Sequence, residues 1–446
     1  MDFSALIPSF GGFLFTAVAF IVALSIIVAI HEFGHYIVGR WSGIHAEVFS
    51  IGFGPVLWSR PDKRGTRWQI AALPFGGYVK FLGDSDAASS GVDGETVEGL
   101  SEEELRHTMH GAPLWARTLT VLAGPVFNFI LSTILFAGLA IFIGIAEKPL
   151  TIKEIYPLPV QGITLQPGDA LLQIAGRDVP EGEGFAEFAD ALPRTPLLDY
   201  TVRRAGQQAQ AKGPQLFPPR VAAVQLKSAA RDAGLQKGDV ILSIDGQDIL
   251  RFDDMIDIVE GSQGRPMQLK VWRQGKTLDI TLSARRRDTP LPDGGFKTRW
   301  LIGIQSSLFF EPAARTAGPV EALKLGLEQT YGVIKLSLSG MYHMIAGQIS
   351  ACNISGPLGI AQSSGEMASQ GATSFISFIA LLSAAVGLLN LFPIPMLDGG
   401  HLVFYAWEAV AGKPPSDKIL RILMMIGLAL VLSLMIFGLT NDLFCK

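Results

Sequence analysis

The sequence predicts a multi-pass α-helical membrane protein with four transmembrane helices, a membrane-associated β-hairpin and two small repeated α+β domains. Three observations predict it. Residues 3–30, 118–146, 367–397 and 422–441 contain no Asp, Glu, Lys or Arg, and about 20 mostly apolar residues suffice to cross a bilayer core. Two β-prone runs flank a Pro/Gly turn after the first window. A motif recurs at a constant offset between the second and third. Charged residues make up 17% of the 446, against roughly 25% in an ordinary soluble domain. A wholly soluble chain and a disordered one are excluded. The net charge of −4 offers no basic footprint for nucleic acid.

The first helix is expected within residues 1–38. No Lys or Arg precedes it, it carries Asp2, and its apolar run outlasts the roughly 7–15 residues of a signal-peptide core. It runs directly into His31-Glu32, so it reads as a retained span. Residues 39–117 form the first loop, which holds Arg40, Arg60, Lys63, Arg64, Arg67, Lys80, Arg106 and Arg117. The positive-inside rule places that loop in the cytoplasm, and Lys413, Lys418 and Arg421 agree. Within it, 46–58 and 67–80 flank Pro61-Asp62-Lys63-Arg64-Gly65 and predict the hairpin. Residues 83–104, rich in Gly, Ser, Asp and Glu, read as a solvated, mobile loop. The second span covers 118–146, the third 373–400 and the fourth 418–441. Residues 147–366 are then extracytoplasmic.

The outer segment contains a repeat. Leu165-Gln166-Pro167-Gly168-Asp169 through Asp178 matches Leu235-Gln236-Lys237-Gly238-Asp239 through Asp248, an offset of 70 residues (235 − 165). A tight Gly-Asp turn followed by a short apolar strand makes one folding unit. The two units are placed at 150–216 and 217–287. Each resembles a PDZ domain, the second more closely, because Thr164 stands in the first copy where Gly234 stands in the second. PDZ domains bind peptides by adding a strand to a sheet edge; a spacer or gate without a ligand is equally open. Residues 288–372 are expected to be linker followed by an amphipathic helix over 319–347 on the outer membrane surface. Glu321, Lys324, Glu328 and Lys335 argue against a further span.

The chemistry centres on His31-Glu32-Phe33-Gly34-His35. On a helix, residues four apart share a face, so both imidazoles can reach one metal ion, and neutral imidazole suits zinc. Glu32 beside them can take a proton from a water activated there. Three ionisable residues in five are expensive to keep inside a span, which weighs against a mere pair of packed histidines. Catalytic zinc needs a third protein ligand. Asp398, closing the apolar run Asn390-Leu391-Phe392-Pro393-Ile394-Pro395-Met396-Leu397, lies at the matching depth if the first and third spans run in the same direction. A plain helix end capped by Gly399-Gly400 is the alternative. Pro393 and Pro395 break the helix, and freed backbone at membrane depth must be buried or line a wet cavity. Asn390 could hydrogen-bond an unwound substrate or join two helices. Gly76, Gly77 and Tyr78, ending the second β-run, could hold a substrate extended or simply turn the chain.

Together HExxH, NxxPxPxLDGG and the repeats between them resemble the site-2 protease family of intramembrane metalloproteases over essentially the whole chain. Gly52-Phe53-Gly54, Gly76-Gly77-Tyr78-Val79-Lys80, Ala123-Gly124-Pro125 with Asn128, and Ser355-Gly356-Pro357 belong to the resemblance. It implies one Zn2+ held by His31, His35 and Asp398, with Glu32 as general base. Asn390, Gly76, Gly77, Tyr78, Pro393 and Pro395 are the candidate substrate-binding residues. It further implies a bacterial inner-membrane enzyme of regulated intramembrane proteolysis, with its active site near the cytoplasmic side and periplasmic PDZ-like domains. Its substrate would be a shortened single-pass membrane protein of the anti-sigma-factor type, or a remnant signal peptide. The rival class is a zinc-binding membrane scaffold or carrier, which has no use for a general base at Glu32. Cys352 and Cys445, the two cysteines, both fall on the outer side and could pair.

Overall fold

Helices too apolar to face water dominate the computed structural model, which describes residues 7–84, 99–182, 184–225, 227–291 and 295–444. Among the described residues, four are long and apolar enough to cross a membrane. They are α1 (Ile7–Trp41), α2 (Leu114–Phe142), the later α5 (Ala372–Asn390) and α7 (Asp417–Phe444). The remaining long helices are α3 (Pro319–Ile345), α4 (Pro357–Ser369) and α6 (Asp398–Ala411). Val18, Val22 and Ile26 of α1 and Ile130 and Ile134 of α2 lie exposed, as do most apolar residues of α7. Contiguous apolar surface on this scale requires lipid or another apolar partner. The chain divides into one unit of 1–140, 318–339 and 351–445 and another of 141–317 and 340–350.

In the first unit α1, α2 and α5 pack through small residues. Gly34 of α1 sits against the Ala123 carbonyl and the Phe127 ring, where a Cβ would overlap both, and Gly387 of α5 sits against Pro125 and Asn128. Ala23, Ile27 and Ile379 close the apolar centre. Small residues let backbones approach where the hydrophobic effect gives no drive between helices. Helix α3 is amphipathic but not merely superficial. Its Ala322, Gly326 and Thr330 are buried, Gly326 rests on Thr133 and Ala137, and the Thr330 hydroxyl lies 3.1 Å from Ser132 Oγ. Asp442 of α7 accepts the Gly356 and Gly359 N–H groups at the start of α4, at 3.1 and 2.8 Å. This satisfies donors that every helix N-terminus leaves free. Cys352 is disulfide-bonded; Cys445 lies outside the described residues.

The expected hairpin is more folded than the two β-runs suggest. Strands β1 (Ala46–Pro61) and β2 (Arg67–Phe81) both bend. Val48–Ile51 pairs on one side with Arg67–Ile70 and on the other with Gly77–Lys80, while Trp58–Pro61 pairs with Arg67–Ile70. Four segments therefore lie side by side, with 77–81 outermost. Gly52 and Gly54, at φ +92° and +84°, supply the bend in β1. Asp62 fixes the turn. It accepts the Arg64 and Thr66 N–H groups, the Trp68 indole N–H and the Tyr36 hydroxyl, tying the sheet to α1. Burial pushes its carboxyl up, yet these hydrogen bonds outweigh it and leave the group below the ordinary carboxylate range. Residues 85–98 of the expected mobile loop lie outside the described residues. Asp84, expected in solvent, is instead fully buried and accepts the Phe81 N–H.

The second unit carries the repeat. Arg177–Asp178, Ala170–Ile174, Leu198–Arg204 and Gln207–Gly213 form one sheet in that order; Gln247–Asp248, Val240–Ile244, Pro266–Arg273 and Lys276–Ser283 form another of the same order. A helix, Phe185–Asp190 or Phe252–Gly261, lies between the second and third strands in sequence. The shared Gly-Asp has a concrete task. Asp169 accepts two bonds of 2.7 Å from Arg204, and Asp239 accepts 2.6 and 2.7 Å bonds from Arg273. Each aspartate is buried and also accepts the N–H of Gln166 or Gln236.

Two expected boundaries change. Residues 288–318 are not a linker: 304–305 pairs with 223–224, 310–312 with 152–155 and 314–315 with 145–146. Phe309 and Phe310 fill the first repeat's core beside Ile152 and Tyr200. The third span ends at Asn390, not at residue 400, because Pro393 and Pro395 cannot continue the helix. The chain turns through 391–397, and Asp398 opens α6.

Removing a buried hydrogen-bonded carboxylate leaves its arginine unpaired. Asp169→Ala and Asp239→Ala are each expected to lower stability by about 2 kcal/mol, since the arginines are partly solvated. Thermal unfolding of the full chain checks this, and equal shifts are expected from the two repeats.

Candidate metal centre

Helical periodicity brings the first two groups together. His31 and His35 are one turn apart on α1, with their Nε2 atoms 3.2 Å apart. The break after α5 supplies the third. Asp398 Oδ2 lies 3.1 Å from His31 Nε2, and Oδ1 lies 3.5 Å from His35 Nε2. The loop can fold back onto the first turn of α6 because Gly399 and Gly400 have no side chains. A Cβ on either would overlap the carbonyls of Leu391, Phe392 or Ile394. Those glycines therefore open a helix rather than cap the end of one.

One face of α2 frames the histidines. His35 Nδ1 lies 2.8 Å from the Thr120 carbonyl oxygen and can donate to it, aiming Nε2 inward. Gly124, one turn further, packs against both rings; a Cβ there would overlap His35 and come within 2.8 Å of His31 Cε1. Asn128, a further turn along and fully buried, places its amide 3.2 Å from His31 Nδ1. Sequence reasoning noted Gly124 and Asn128 only as parts of a resemblance and missed Thr120. A backbone carbonyl leaves no mark on residue identity, but the i, i+4, i+8 spacing of Thr120, Gly124 and Asn128 on an apolar helix was a readable signal.

The sheet borders the site from the other side. The Val79 backbone comes close to the Glu32 carboxylate. Gly77 lies where a Cβ would sit 3.2 Å from Glu32 Cγ and 2.8 Å from the Ser50 carbonyl oxygen. Tyr78 stacks on Phe53 at 5.9 Å and accepts a 3.1 Å bond from Gln69. Gly76, at φ +155°, packs on the Phe53 ring. Thus Glu32 and Gly77 meet, with Gly76 and Tyr78 flanking. Pro393 and Pro395 lie in the loop before Asp398, where Gly427 of α7 packs on Pro395 and Met396. Asn390 is the last residue of α5 and half-buried.

Two imidazole nitrogens and a carboxylate facing one another inside a membrane protein suit a cation. Four ligands about 2.0–2.1 Å from a tetrahedral zinc stand roughly 3.3 Å apart, and the separations here are 3.1–3.5 Å. One donor atom from each of the three residues lies within 4.8 Å of the others. Asp398 Oδ2 is buried and, among the described residues, has no hydrogen-bond partner. Two imidazoles and a carboxylate are a known donor set for catalytic zinc.

Residues 19–434 match the model of peptidase family M50. The chain belongs to peptidase family M50. A relative named "Putative zinc metalloprotease Atu1380", from Agrobacterium fabrum, is 36% identical over 428 residues, covering 95% of this chain and 94% of its own. The regulator of sigma-E protease RseP of Salmonella typhimurium is 33% identical over 461 residues, covering 96% and 98%. The corresponding protein of Salmonella typhi matches equally well, at 33% over 461 residues. This M50 chain is a site-2-type zinc metalloprotease of the inner membrane, and Zn2+ is its cofactor.

Gly124→Ala is expected to push the rings apart and weaken zinc binding by about 10–100-fold, the usual cost of disturbing the support of metal ligands. Chelator competition on the purified M50 chain measures it.

Proposed function

We propose that this chain hydrolyses peptide bonds within the membrane-spanning segments of single-pass membrane proteins. His31, His35 and Asp398 would hold the zinc, and Glu32 would act as general base. The observation that carries the reading is the convergence of both Nε2 atoms and the Asp398 carboxylate at zinc-ligand separations, with Glu32 on the same helix turn. Zinc, when bound, supplies Lewis acidity that activates water and polarises the scissile carbonyl. Glu32 takes the proton and can return it to the leaving amine. The Glu32 side chain lies against Gly77 of the outer strand. A carbonyl inside an intact helix is already hydrogen-bonded, so the substrate must unwind. Segment 77–81 is outermost in its sheet and passes beside Glu32, which favours pairing with an extended substrate through Gly76, Gly77 and Tyr78. Pro393 and Pro395 line the turn before Asp398, and Asn390 at the helix end would hydrogen-bond the unwound chain.

The Lys/Arg-rich first loop supports an active site near the cytoplasmic face. Trp41 and Trp115, exposed at neighbouring helix ends, suit the same interface. The repeated domains would then be periplasmic. Their identical strand order and intervening helix support the PDZ-like reading. We take them as a filter admitting only shortened substrates, or as holders of a substrate end. The relatives named for sigma-E regulation favour an anti-sigma-factor-type substrate and a place in regulated intramembrane proteolysis. Remnant signal peptides share the required chemistry, a single apolar helix.

Glu32→Gln should retain one zinc per chain and cut a membrane-helix substrate about 10²–10⁴-fold more slowly. Metal analysis beside a cleavage assay tests this; brisk cleavage by the variant would sink the general-base role, and zinc bound without any cleavage by the native chain would favour a scaffold. A bulky folded domain fused to the outer end of the substrate should block cleavage. An unchanged rate would remove the filter.

A further inference from the structure

A charged pair at the edge of the bundle has no part in the chemistry described so far. Arg117 Nη1 donates to Glu408 Oε2 at 3.1 Å, and Nη2 donates to Oε1 at 2.5 Å. The guanidinium also lies over the Tyr405 ring, 5.2 Å from its centroid. Both side chains are largely buried, at 13% and 17% exposure. Arg117 is in the first turn of α2 and Glu408 in the last turn of α6.

Neither position is one a helix would choose for that charge. The dipole disfavours a cation in the first turn and an anion in the last. Local preference therefore does not explain either residue, and their mutual contact does. The contact joins the two elements that must keep register at the metal centre. On α2, Arg117 begins the face that continues through Thr120, Gly124 and Asn128, the groups that aim and pack His35 and His31. On α6, Glu408 closes the helix that Asp398 opens. Between α5 and α6 the chain is a non-helical turn over 391–397, so α5 does not rigidly carry Asp398. Two parallel hydrogen bonds fix angle as well as distance, which a single lysine contact does not.

We infer that the Arg117–Glu408 pair is a positioning clamp that holds Asp398 in register with His31 and His35. The inference rests on the proposed ligand set, and its test separates the two. Zinc affinity is measured by chelator competition on the full chain, well below its unfolding temperature. Asp398→Ala is expected to lose zinc. Glu408→Gln is expected to bind it about 10–100-fold more weakly. Arg117→Lys, which keeps the charge without the fork, should show a smaller loss. The exchanged double variant Arg117→Glu with Glu408→Arg should recover most of the affinity. A pair that served only the fold would lower the unfolding temperature and leave the affinity of folded protein unmoved.

Wild-type affinity in Glu408→Gln, while Asp398→Ala loses zinc, overturns the clamp alone. Retention of zinc by Asp398→Ala overturns the ligand set itself. If Glu408→Gln does not fold, Arg117→Lys decides. A several-fold loss supports the clamp, and unchanged affinity overturns it.

Discussion

Three largely buried electron-rich groups pressed together within a membrane protein are the constraint on which this structure turns. Two imidazole nitrogens and a carboxylate stand 3.1–3.5 Å apart. In a medium of low dielectric such an arrangement is costly unless a cation answers it. Everything nearby works to hold the groups there. The helix period sets the histidines on one face, and two prolines and two glycines bring Asp398 round to them. The result suits an M50 peptidase, whose zinc needs protein ligands on one side and room for water and substrate on the other.

The support for this cluster is concentrated on α2, which supplies none of the converging groups. Thr120 offers a backbone carbonyl, Gly124 offers the lack of a side chain, and Asn128 offers a buried amide. These are different kinds of contribution with one effect, which is to leave each ring a single orientation. Ring orientation decides which nitrogen faces the centre. The same helix anchors α5 through the bond from Ser383 Oγ to the Asn128 carbonyl, 2.9 Å long. Beside Glu32, segment 77–81 pairs on one side only among the described residues, which leaves an edge of that sheet open.

The second unit, 141–317 with 340–350, is built on different interactions. Its two small sheets each rely on one buried aspartate and one arginine to lock a turn onto a strand. Beside each sheet lies a separate two-stranded pairing with the region after the second repeat, 152–155 with 310–312 and 223–224 with 304–305. Phe309 and Phe310, far along the unit in sequence, complete the first repeat's core, so the unit cannot be cut at residue 216 without opening it.

Much of the protein was legible from residues alone, for reasons of period and composition. Charge-free windows mark the spans because the bilayer forbids unpaired charge. His31 and His35 are readable as a pair because their spacing matches a helix turn. The Gly-Asp repeat is readable because it is nearly literal. Asp398 was readable by depth, although as the end of a span rather than the beginning of α6. What only the tertiary structure decided is whatever depends on backbone atoms or on partners distant in sequence. The Thr120 carbonyl, the bend that puts Gly77 against Glu32, the strand 310–312 beside 152–155 and the Arg117–Glu408 pair belong to that class. No local pattern encodes them, because a carbonyl is the same in every residue and two charges 291 positions apart carry no sign of each other until the helices have packed.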